Sequence, residues 1–267
     1  MELLLYNTIT ITYDLYLFRK QGGILMSNTI KIENKNGTLI IAHRGLSGLE
    51  QENTNAAFIA AGNRSYFGIE TDVHKTADGK FVLMHDANTL RTTGDDIEIN
   101  KATYETLRNI RVLQKDGMRS RTDLRIPSLE EYIGICKHYE KYAILELKDE
   151  FTAEDIDAIC KIIEADDYME KTVFISFKFN NMVLVKERNP EQTVQFLSWE
   201  PVGDERIEEL VKYKMDLDAH SRLFTKEFID KCHSKGIKVN AWTVDDLETA
   251  ERLIKDGIDF ITTNILE

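Results

Sequence analysis

Two short apolar runs of the sequence carry side chains that can do chemistry. His43 and Arg44 follow the first run, and Glu70 and Asp72 stand two residues apart in the second. Because side chains alternate along a strand, Glu70 and Asp72 share one face. Two carboxylates on one buried face repel each other and need a cation or a proton. The pattern therefore indicates either a cation site or a buried ion-pair network.

A later strand-like segment repeats this spacing with both signs of charge. Glu146 and Lys148 are again two residues apart, so they point the same way. Three carboxylates that converge form the oxygen-rich site that Mg²⁺ or Ca²⁺ prefers. The alternative is a network of buried ion pairs that includes Arg44 and Lys148, and spacing alone favours the metal only slightly.

Two histidines complete the set. His43 ends one apolar run and His85 ends another. One imidazole can remove a proton from a nucleophile while the other protonates a departing alkoxide. A cation can neutralise phosphoryl charge, and Arg44 and Lys148 can hold phosphate oxygens. These residue types together suit hydrolysis of a phosphodiester, and the sequence leaves open which histidine is the acid.

Eight strand-like segments must position these residues. Most are followed by a helical pattern, which predicts parallel β/α units closed into an α/β fold, the (β/α)8 TIM barrel. The site is expected at the C-terminal mouth of that barrel. The segments are Leu39–His43, Ile69–Val73, Ala143–Lys148, Val173–Ser176, Val194–Ser198, Met215–Ala219, Val239–Val244 and Phe260–Thr263.

Two segments interrupt the alternation of strands and helices. Asp78-Gly79 lies between two strand-like runs that are too close for a crossover helix, which predicts a β-hairpin after strand two. This hairpin should return His85 to the level of Asp72. Residues 87–127 are polar and poorly periodic, and we interpret them as a small insertion over the mouth. A loop without a functional role is the equal alternative.

The N-terminal segment differs from the rest of the chain. Residues 1–25 have interrupted apolar patches and lack the basic start and cleavage site of a signal peptide. Gln21-Gly22-Gly23 can be encoded by a ribosome-binding sequence at a suitable distance before Met26. We therefore expect that translation begins at Met26, that residues 1–25 are a non-native or disordered extension, and that residues 26–267 form one barrel domain.

The composition of the chain limits the kinds of molecule that it is expected to bind. The net charge of −12 argues against nucleic acid and against anionic membrane surfaces. No apolar run approaches the roughly 20 residues of a membrane span, which predicts no stable membrane insertion. The three cysteines are distant from one another and are expected to be reduced, packed thiols in a cytoplasmic protein. A divalent cation would give this acidic protein the positive centre that an anionic substrate requires.

Six motifs occur in an order that resembles the glycerophosphodiester phosphodiesterase family, which has a PLC-like phosphodiesterase TIM barrel. The resemblance runs from about Ile40 to the C-terminus. It implies one divalent cation and hydrolysis of a small glycerophosphodiester to sn-glycerol 3-phosphate and an alcohol. The motifs are Ala42-His43-Arg44-Gly45, Glu52-Asn53-Thr54, Glu70-Thr71-Asp72-Val73, Thr76-Ala77-Asp78-Gly79, His85-Asp86 and Glu146-Leu147-Lys148.

The same resemblance implies residue roles. In this family the glycerol hydroxyl next to the phosphate is a proposed nucleophile, which gives a cyclic phosphate before water attacks. The chain departs from the family pattern at Gln51, often Pro, and at Asn264, usually Asp. The implied roles are catalysis for His43 and His85, metal ligation for Glu70, Asp72 and Glu146, and phosphate contacts for Arg44 and Lys148.

Other residues are assigned by position. We expect Glu52 to pair with Arg44 or to touch the metal, and His74 to lie at the rim or in solvent. Trp242 resembles the family's aromatic residue on the penultimate strand and is either a substrate wall or ordinary barrel packing. Further residues that can line the mouth are Phe177, Phe179 and Trp199. No role is assigned to His138, His220 and His233.

Two other functions stay open. A lysophospholipase D or phospholipase-type phosphodiesterase on the same fold would want an apolar mouth, whereas the polar residues 87–127 favour a water-soluble substrate. A non-catalytic binding barrel would be indicated by loss of a histidine or a metal ligand. A nuclease is disfavoured by the acidic charge. The sequence predicts neither the oligomeric state nor the substrate's alcohol group.

Overall fold

The computed structural model describes residues 28–267, so the predictions for residues 1–25 lie outside the described residues. Eight parallel strands close into a barrel in the order β1-β9-β8-β7-β6-β5-β4-β2, and β2 pairs back with β1. This arrangement confirms the predicted TIM barrel. The strands are β1 (Leu39–Ala42), β2 (Gly68–Lys75), β4 (Tyr142–Leu147), β5 (Thr172–Ser176), β6 (Val194–Ser198), β7 (Asp216–His220), β8 (Val239–Trp242) and β9 (Phe260–Thr263), with a ninth, β3 (Phe81–Leu83), outside the barrel.

Helices follow most of the barrel strands and pack around them. Ser128 and Thr152 each form a capping box, so two of these helices begin where side chains satisfy the first backbone N–H groups. Between residues 28 and 267, no helix is long and apolar enough to span a membrane. The helices are α1 (Asn55–Gly62), α2 (Leu90–Thr93), α3 (Tyr104–Asn109), α4 (Leu129–His138), α5 (Ala153–Ala165), α6 (Phe179–Arg188), α7 (Asp204–Tyr213), α8 (Lys226–Ser234) and α9 (Leu247–Asp256).

The predicted hairpin is confirmed. Strand β3 pairs antiparallel with the end of β2, with Val73 opposite Leu83. The backbone N–H of Met84 then donates to the carbonyl of Asp72 at 3.0 Å. The hairpin therefore returns His85 to the level of Asp72 at the barrel mouth, as the sequence predicts.

Residues 87–127 share a small apolar core with the returning strand of the hairpin. The segment carries α2, α3 and a 3-10 turn, and it is tied to the loop after β1 because Arg121 Nη1 lies 2.6 Å from Glu50 Oε2. The description of the segment as poorly periodic misses this core, since its apolar residues are scattered over short elements. The core consists of Val82, Met84, Ile99, Ala102, Leu107, Val112, Leu124 and Ile126.

An apolar cluster fills part of the barrel interior below its mouth. Inward-facing side chains at the centre of the strands form a separate buried cluster, and the charged residues follow two positions later along β1 and β4. Within the described range the three cysteines are unpaired and buried, as expected for packed thiols. The cluster consists of Ile41, Ile144, Val173, Ile175 and Leu197.

Candidate active site

A cavity of about 370 Å³ opens among the C-terminal ends of the strands. One side is charged and the other is largely aromatic and aliphatic. His43, Arg44, Glu70, His85, Glu146, Lys148 and Trp242 line the cavity as predicted, whereas Asp72 and Glu52 are not among its lining residues. The charged side has His43, Arg44, Glu70, His85, Glu146 and Lys148, and the other side has Ile175, Phe177, Leu197, Trp199 and Trp242.

The three predicted metal ligands meet at this cavity. Glu70, Asp72 and Glu146 each offer one carboxylate oxygen, and these atoms lie within 4.8 Å of one another. Strand register explains the meeting, because Asp72 on β2 pairs with Glu146 on β4. All three residues are buried. Alternation along β2 then adds Glu70 to the same face.

The electrostatics of this cluster fit a hard divalent cation. Burial and the neighbouring carboxylates raise the pKa of Glu70 well above its usual range. Burial and Asp72 raise the pKa of Glu146 to about 8, although Lys148 opposes them. Burial also opposes ionisation of Asp72, but Lys148 and Arg44 outweigh it and hold its pKa below the usual range. Three oxygen donors that repel one another suit Mg²⁺ or Ca²⁺.

Two further observations concern how Asp72 is held. Asn53 Nδ2 donates to Asp72 Oδ2 at 2.8 Å, and Thr71 Oγ1 donates to Asn53 Oδ1 at 2.7 Å. Asp72 Oδ1 is buried and has no hydrogen-bond partner among residues 28–267. Sequence reasoning missed the role of Asn53, although the Glu-Asn-Thr motif was the signal that could have found it.

Arg44 occupies an uncommon backbone conformation. Its φ is +54°, which is rare for a side chain of this size and costs free energy. In this conformation its N–H donates to Glu70 Oε2 at 2.7 Å, and its Nη1 donates to Glu52 Oε1 at 2.9 Å. Glu52 therefore pairs with Arg44, which is one of its two predicted positions. Arg91 donates to Glu52 and Asp86, a link that the sequence did not reveal.

Lys148 stands between two of the carboxylates. Its Nζ lies 3.0 Å from Glu146 Oε1 and 3.3 Å from Asp72 Oδ1. Burial disfavours the charged ammonium, but Asp72 and Glu146 outweigh burial and raise the pKa of Lys148. The side chain is therefore charged at neutral pH and can contact an anion in the cavity.

The hydrogen bonds of His43 fix its tautomer. Its Nδ1 lies 2.8 Å from Asn264 Oδ1, and Asn264 Nδ2 donates to Asp245 Oδ2 at 2.6 Å. Because a carboxylate only accepts, the Asn264 amide is oriented with its oxygen toward the ring, so Nδ1 carries the proton. Desolvation and Arg44 lower the pKa of His43 to about 4. Its Nε2 is therefore a free lone pair, 4.0 Å from Glu70 Oε2.

His85 is held by a carboxylate. Its Nδ1 lies 2.6 Å from Asp86 Oδ1, which can stabilise the protonated ring. Burial lowers the pKa of His85 while Asp72 opposes it. His74 is buried beneath it, with Nδ1 donating to Asp149 at 2.8 Å and Nε2 3.4 Å from the His85 carbonyl. The prediction that His74 lies at the rim is wrong, because the loop after β4 that carries Asp149 covers it.

The opposite wall is aromatic. Trp199 and Trp242 meet edge to face with ring centroids 4.3 Å apart, and Phe177 stacks on Trp199 at 6.4 Å. His220, to which the sequence assigned no role, packs 5.1 Å from Trp199. The prediction that Phe179 lines the mouth is wrong, because that ring lies in α6 and packs against Phe196 and Tyr213.

Asp218 also lines the cavity and was missed from the sequence. It lies in β7, in phase with Asp216 and His220, so the alternation that found Glu70 and Asp72 could have found it. Burial and the charge of Glu146 raise its pKa well above the usual range. The site therefore contains a fourth buried acid, on the side opposite the cluster's own strands.

Comparison with known proteins gives one consistent result. Residues 43–267 match the model of the glycerophosphoryl diester phosphodiesterase family. A glycerophosphodiester phosphodiesterase from Caldanaerobacter subterraneus subsp. tengcongensis is 30% identical over 229 residues, covering 85% of this chain and 94% of the relative. Glycerophosphodiester phosphodiesterase 1 of Bos taurus is 28% identical over 261 residues, covering 85% and 78%.

Solved structures agree with the sequence comparisons. A phosphodiesterase from Oleispira antarctica, in complex with the product sn-glycerol-3-phosphate, is 28% identical with a TM-score of 0.78, covering 85% of this chain and 92% of that one. A glycerophosphodiester phosphodiesterase from Parabacteroides distasonis is also 28% identical, with a TM-score of 0.72 and coverage of 86% and 94%.

Proposed function

Since the chain belongs to the glycerophosphoryl diester phosphodiesterase family, we propose that its barrel mouth hydrolyses glycerophosphodiesters to sn-glycerol 3-phosphate and an alcohol. The observation that carries the proposal is that His43 and His85 line one cavity with the buried carboxylate cluster. The product bound in the Oleispira antarctica phosphodiesterase, sn-glycerol-3-phosphate, is the product that the proposed reaction would release. The acidic composition and reduced thiols are compatible with a cytoplasmic enzyme.

The cation would be held by Glu70, Asp72 and Glu146. When bound, Mg²⁺ or Ca²⁺ supplies positive charge to a phosphoryl oxygen as negative charge builds up. Lys148 and Arg44 line the same side of the cavity and are suited to hold the other phosphate oxygens. Glu52 and Arg91 orient Arg44 and Asp86, so these charges are in place before the substrate arrives.

We infer different roles for the two imidazoles from the groups that hold them. His43 carries its proton on Nδ1, so its Nε2 accepts the proton of the attacking hydroxyl. That hydroxyl oxygen bonds to phosphorus as the bond from phosphorus to the departing alkoxide breaks. Burial lowers the pKa of His85, but Asp86 accepts from its Nδ1 and favours the imidazolium, and we infer that this ring gives its proton to the alkoxide. With the neighbouring glycerol hydroxyl as nucleophile, a cyclic phosphate forms, and water then opens it.

One observation favours a second candidate, hydrolysis of lysophospholipids. The aromatic side of the cavity has the apolar character that an acyl chain requires, and Trp199 is about half exposed (49%) at its edge. The charged residues 87–127 near the mouth favour the water-soluble substrate instead. A non-catalytic barrel is disfavoured because the histidines and the ligand set are all present.

The full chain should be assayed with glycerophosphodiesters of choline, ethanolamine, glycerol and inositol, and with lysophosphatidylcholine. We expect release of glycerol 3-phosphate from the water-soluble diesters, loss of activity in excess chelator, and recovery with Mg²⁺ or Ca²⁺. Full activity in excess chelator would remove the cation from the proposal. Cleavage of the lysophospholipid alone would favour the second candidate.

Metal binding can be measured without turnover. Glu146→Gln removes one charged ligand, and we expect calorimetric titration with Mg²⁺ or Ca²⁺ to show roughly 10–100-fold weaker binding. Glu150→Gln is the matched control, because Glu150 lies four residues later, pairs with Lys178 at 3.4 Å, and has a side chain 83% exposed. Equal affinities for the two variants would contradict the assigned ligand set.

A further inference from the structure

We propose that Asp218 is a substrate-binding residue that hydrogen-bonds a hydroxyl group on the glycerol part of the substrate. The proposal rests on the function proposed above and adds the group by which the substrate is recognised. Asp218 is 1% exposed, lines the cavity, and has an Oδ1 atom without a hydrogen-bond partner among residues 28–267. Such a group is expected to be paired in a folded protein.

The polar neighbours of Asp218 are engaged with one another. Asn240, its partner on β8, directs Nδ2 toward Gln195 Oε1 at 3.4 Å and also hydrogen-bonds the Asp218 carboxyl, which leaves Oδ1 as its atom without a partner among the described residues. Asn240 Oδ1 in turn accepts from Thr262 Oγ1 at 3.2 Å. The other neighbour in the sheet, Leu197 on β6, is apolar. The surroundings therefore leave an acceptor of Asp218 available to a molecule in the cavity.

A second unpaired group lies in the same cavity. Trp242 Nε1 is buried and lacks a hydrogen-bond acceptor within the described part of the chain. Trp242 is on β8, two residues after Asn240, so it stands one layer nearer the mouth than Asp218. A hydroxyl both donates and accepts one hydrogen bond, so it can satisfy a carboxyl and an indole N–H together.

The chemistry of Asp218 favours a hydroxyl over a charged group. Burial and Glu146 raise the pKa of this carboxyl well above its usual range, which disfavours an anionic partner beside it and suits a group that both donates and accepts. A phosphate belongs with the cation cluster and Lys148, on the other side. Ile175 and Leu197, which belong to the buried apolar cluster, also line the cavity, so this inner part suits the group that all substrates share, which is glycerol. The variable alcohol then extends toward the open rim at Trp199.

The test compares two substrates that differ by one hydroxyl. sn-Glycero-3-phosphocholine has a terminal hydroxyl, and the phosphocholine ester of propane-1,2-diol lacks it while keeping the hydroxyl next to the phosphate. We expect the wild-type protein, assayed with its metal, to prefer the glycerol substrate by roughly 10–100-fold in kcat/KM. In Asp218→Leu we expect this ratio to fall to about 1, because the lost contact affects only the substrate that makes it.

Two variants guard against a structural explanation. Asp218→Asn keeps a donor and an acceptor at the same place, so it should retain most of the ratio. Trp242→Phe keeps an aromatic side chain and removes the N–H, so it should reduce the ratio even if Asp218→Leu does not fold. A structural acid would lower kcat/KM equally for both substrates. Asp218→Leu should also melt no lower than the wild type, because it removes an unsatisfied buried group.

The outcomes separate this proposal from the proposed function. If the wild-type protein hydrolyses neither substrate under any metal condition, the proposed function fails. If it hydrolyses both, and the ratio is the same in wild type, Asp218→Leu and Trp242→Phe, the assignment of Asp218 is overturned while the function stands. A ratio that collapses in Asp218→Leu and persists in Asp218→Asn supports the hydroxyl contact.

Discussion

The two sides of the barrel mouth hold their polar groups in different ways. On the charged side, formed by β1, β2, β4 and the hairpin, most groups contact a protein partner, as in the chain from Arg91 through Glu52 to Arg44. Arg44 Nε and Asp72 Oδ1 lack a hydrogen bond among residues 28–267, but each lies near an opposite charge, 3.6 Å from Asp72 Oδ2 and 3.3 Å from Lys148 Nζ respectively. On the aromatic side, Asp218 and Trp242 keep buried polar atoms without a partner among residues 28–267. A preorganised charged side suits one fixed reaction. An aromatic side with unpaired groups suits recognition that the ligand completes.

The largest expected effect comes from removing either of the two histidines on the charged side. His43→Ala and His85→Ala should each lower turnover of glycerophosphocholine by roughly 10²–10⁴-fold. With p-nitrophenol as the leaving group, His85→Ala should recover most of the rate, because p-nitrophenolate departs without a proton. His43→Ala should stay slow, because the nucleophile still needs a base. Steady-state kinetics on the two diesters measure the difference.

His138→Ala is the matched control for these two variants. His138 is exposed near the end of α4, and its described contact is ring packing on Tyr139. The control should keep wild-type rates on both diesters. Recovery of His43→Ala with p-nitrophenol, and not of His85→Ala, would reverse the two roles and with them the argument from the tautomer of His43.

A smaller effect is expected from the residue that positions a ligand. Asn53→Ala removes the hydrogen bond to Asp72 Oδ2 and leaves that oxygen unsatisfied. Partners of metal ligands typically contribute 10–100-fold, and we expect a loss of that order in metal affinity and in kcat/KM. Added metal should restore part of the activity, and titration of the rate with Mg²⁺ or Ca²⁺ measures it.

Asn109→Ala serves as the control, since Asn109 ends α3 and, among described residues, its side chain bonds only to the carbonyl of Glu105. If Asn53→Ala binds metal as tightly as this control, Asn53 is not what holds Asp72 in place. The charged side would then depend on Lys148 and Arg44 alone.

The sequence predicted the charged side better than the aromatic side. Alternation along strands identifies Glu70, Asp72 and Glu146 because all three lie within continuous strands. The partners of Asp72 and His43 were not identified, because Asn53 and Asn264 reach them from loops. Periodicity carries no information about contacts between a loop and a strand.

Other differences between the predictions from sequence and the structure have similar physical causes. The burial of His74 depends on Asp149, which lies in the loop after β4 and is distant in sequence. The core of residues 87–127 is spread over short elements, so no helical or strand period reveals it. Asp218 obeys the alternation rule, but its strand carries no further motif that would identify it as a site residue. Fold-level pattern was therefore easier to predict than individual side-chain partners.

The smallest expected effect is at Trp199, at the open edge of the aromatic side, and it tests whether the two sides of the mouth differ there. Trp199 is about half exposed, and its ring stands with Trp242 and His220 at the rim. A cation over an exposed aromatic face gains little, so Trp199→Ala should raise KM for the choline diester about 2–5-fold with kcat unchanged. The glycerol diester, which has no cation in its leaving alcohol, should be unaffected.

Val211→Ala, an exposed apolar position on α7, is the control. A fall in kcat instead of a rise in KM would mean that Trp199 supports the reacting groups, and the division of the mouth into a chemical side and a recognition side would not hold at its rim.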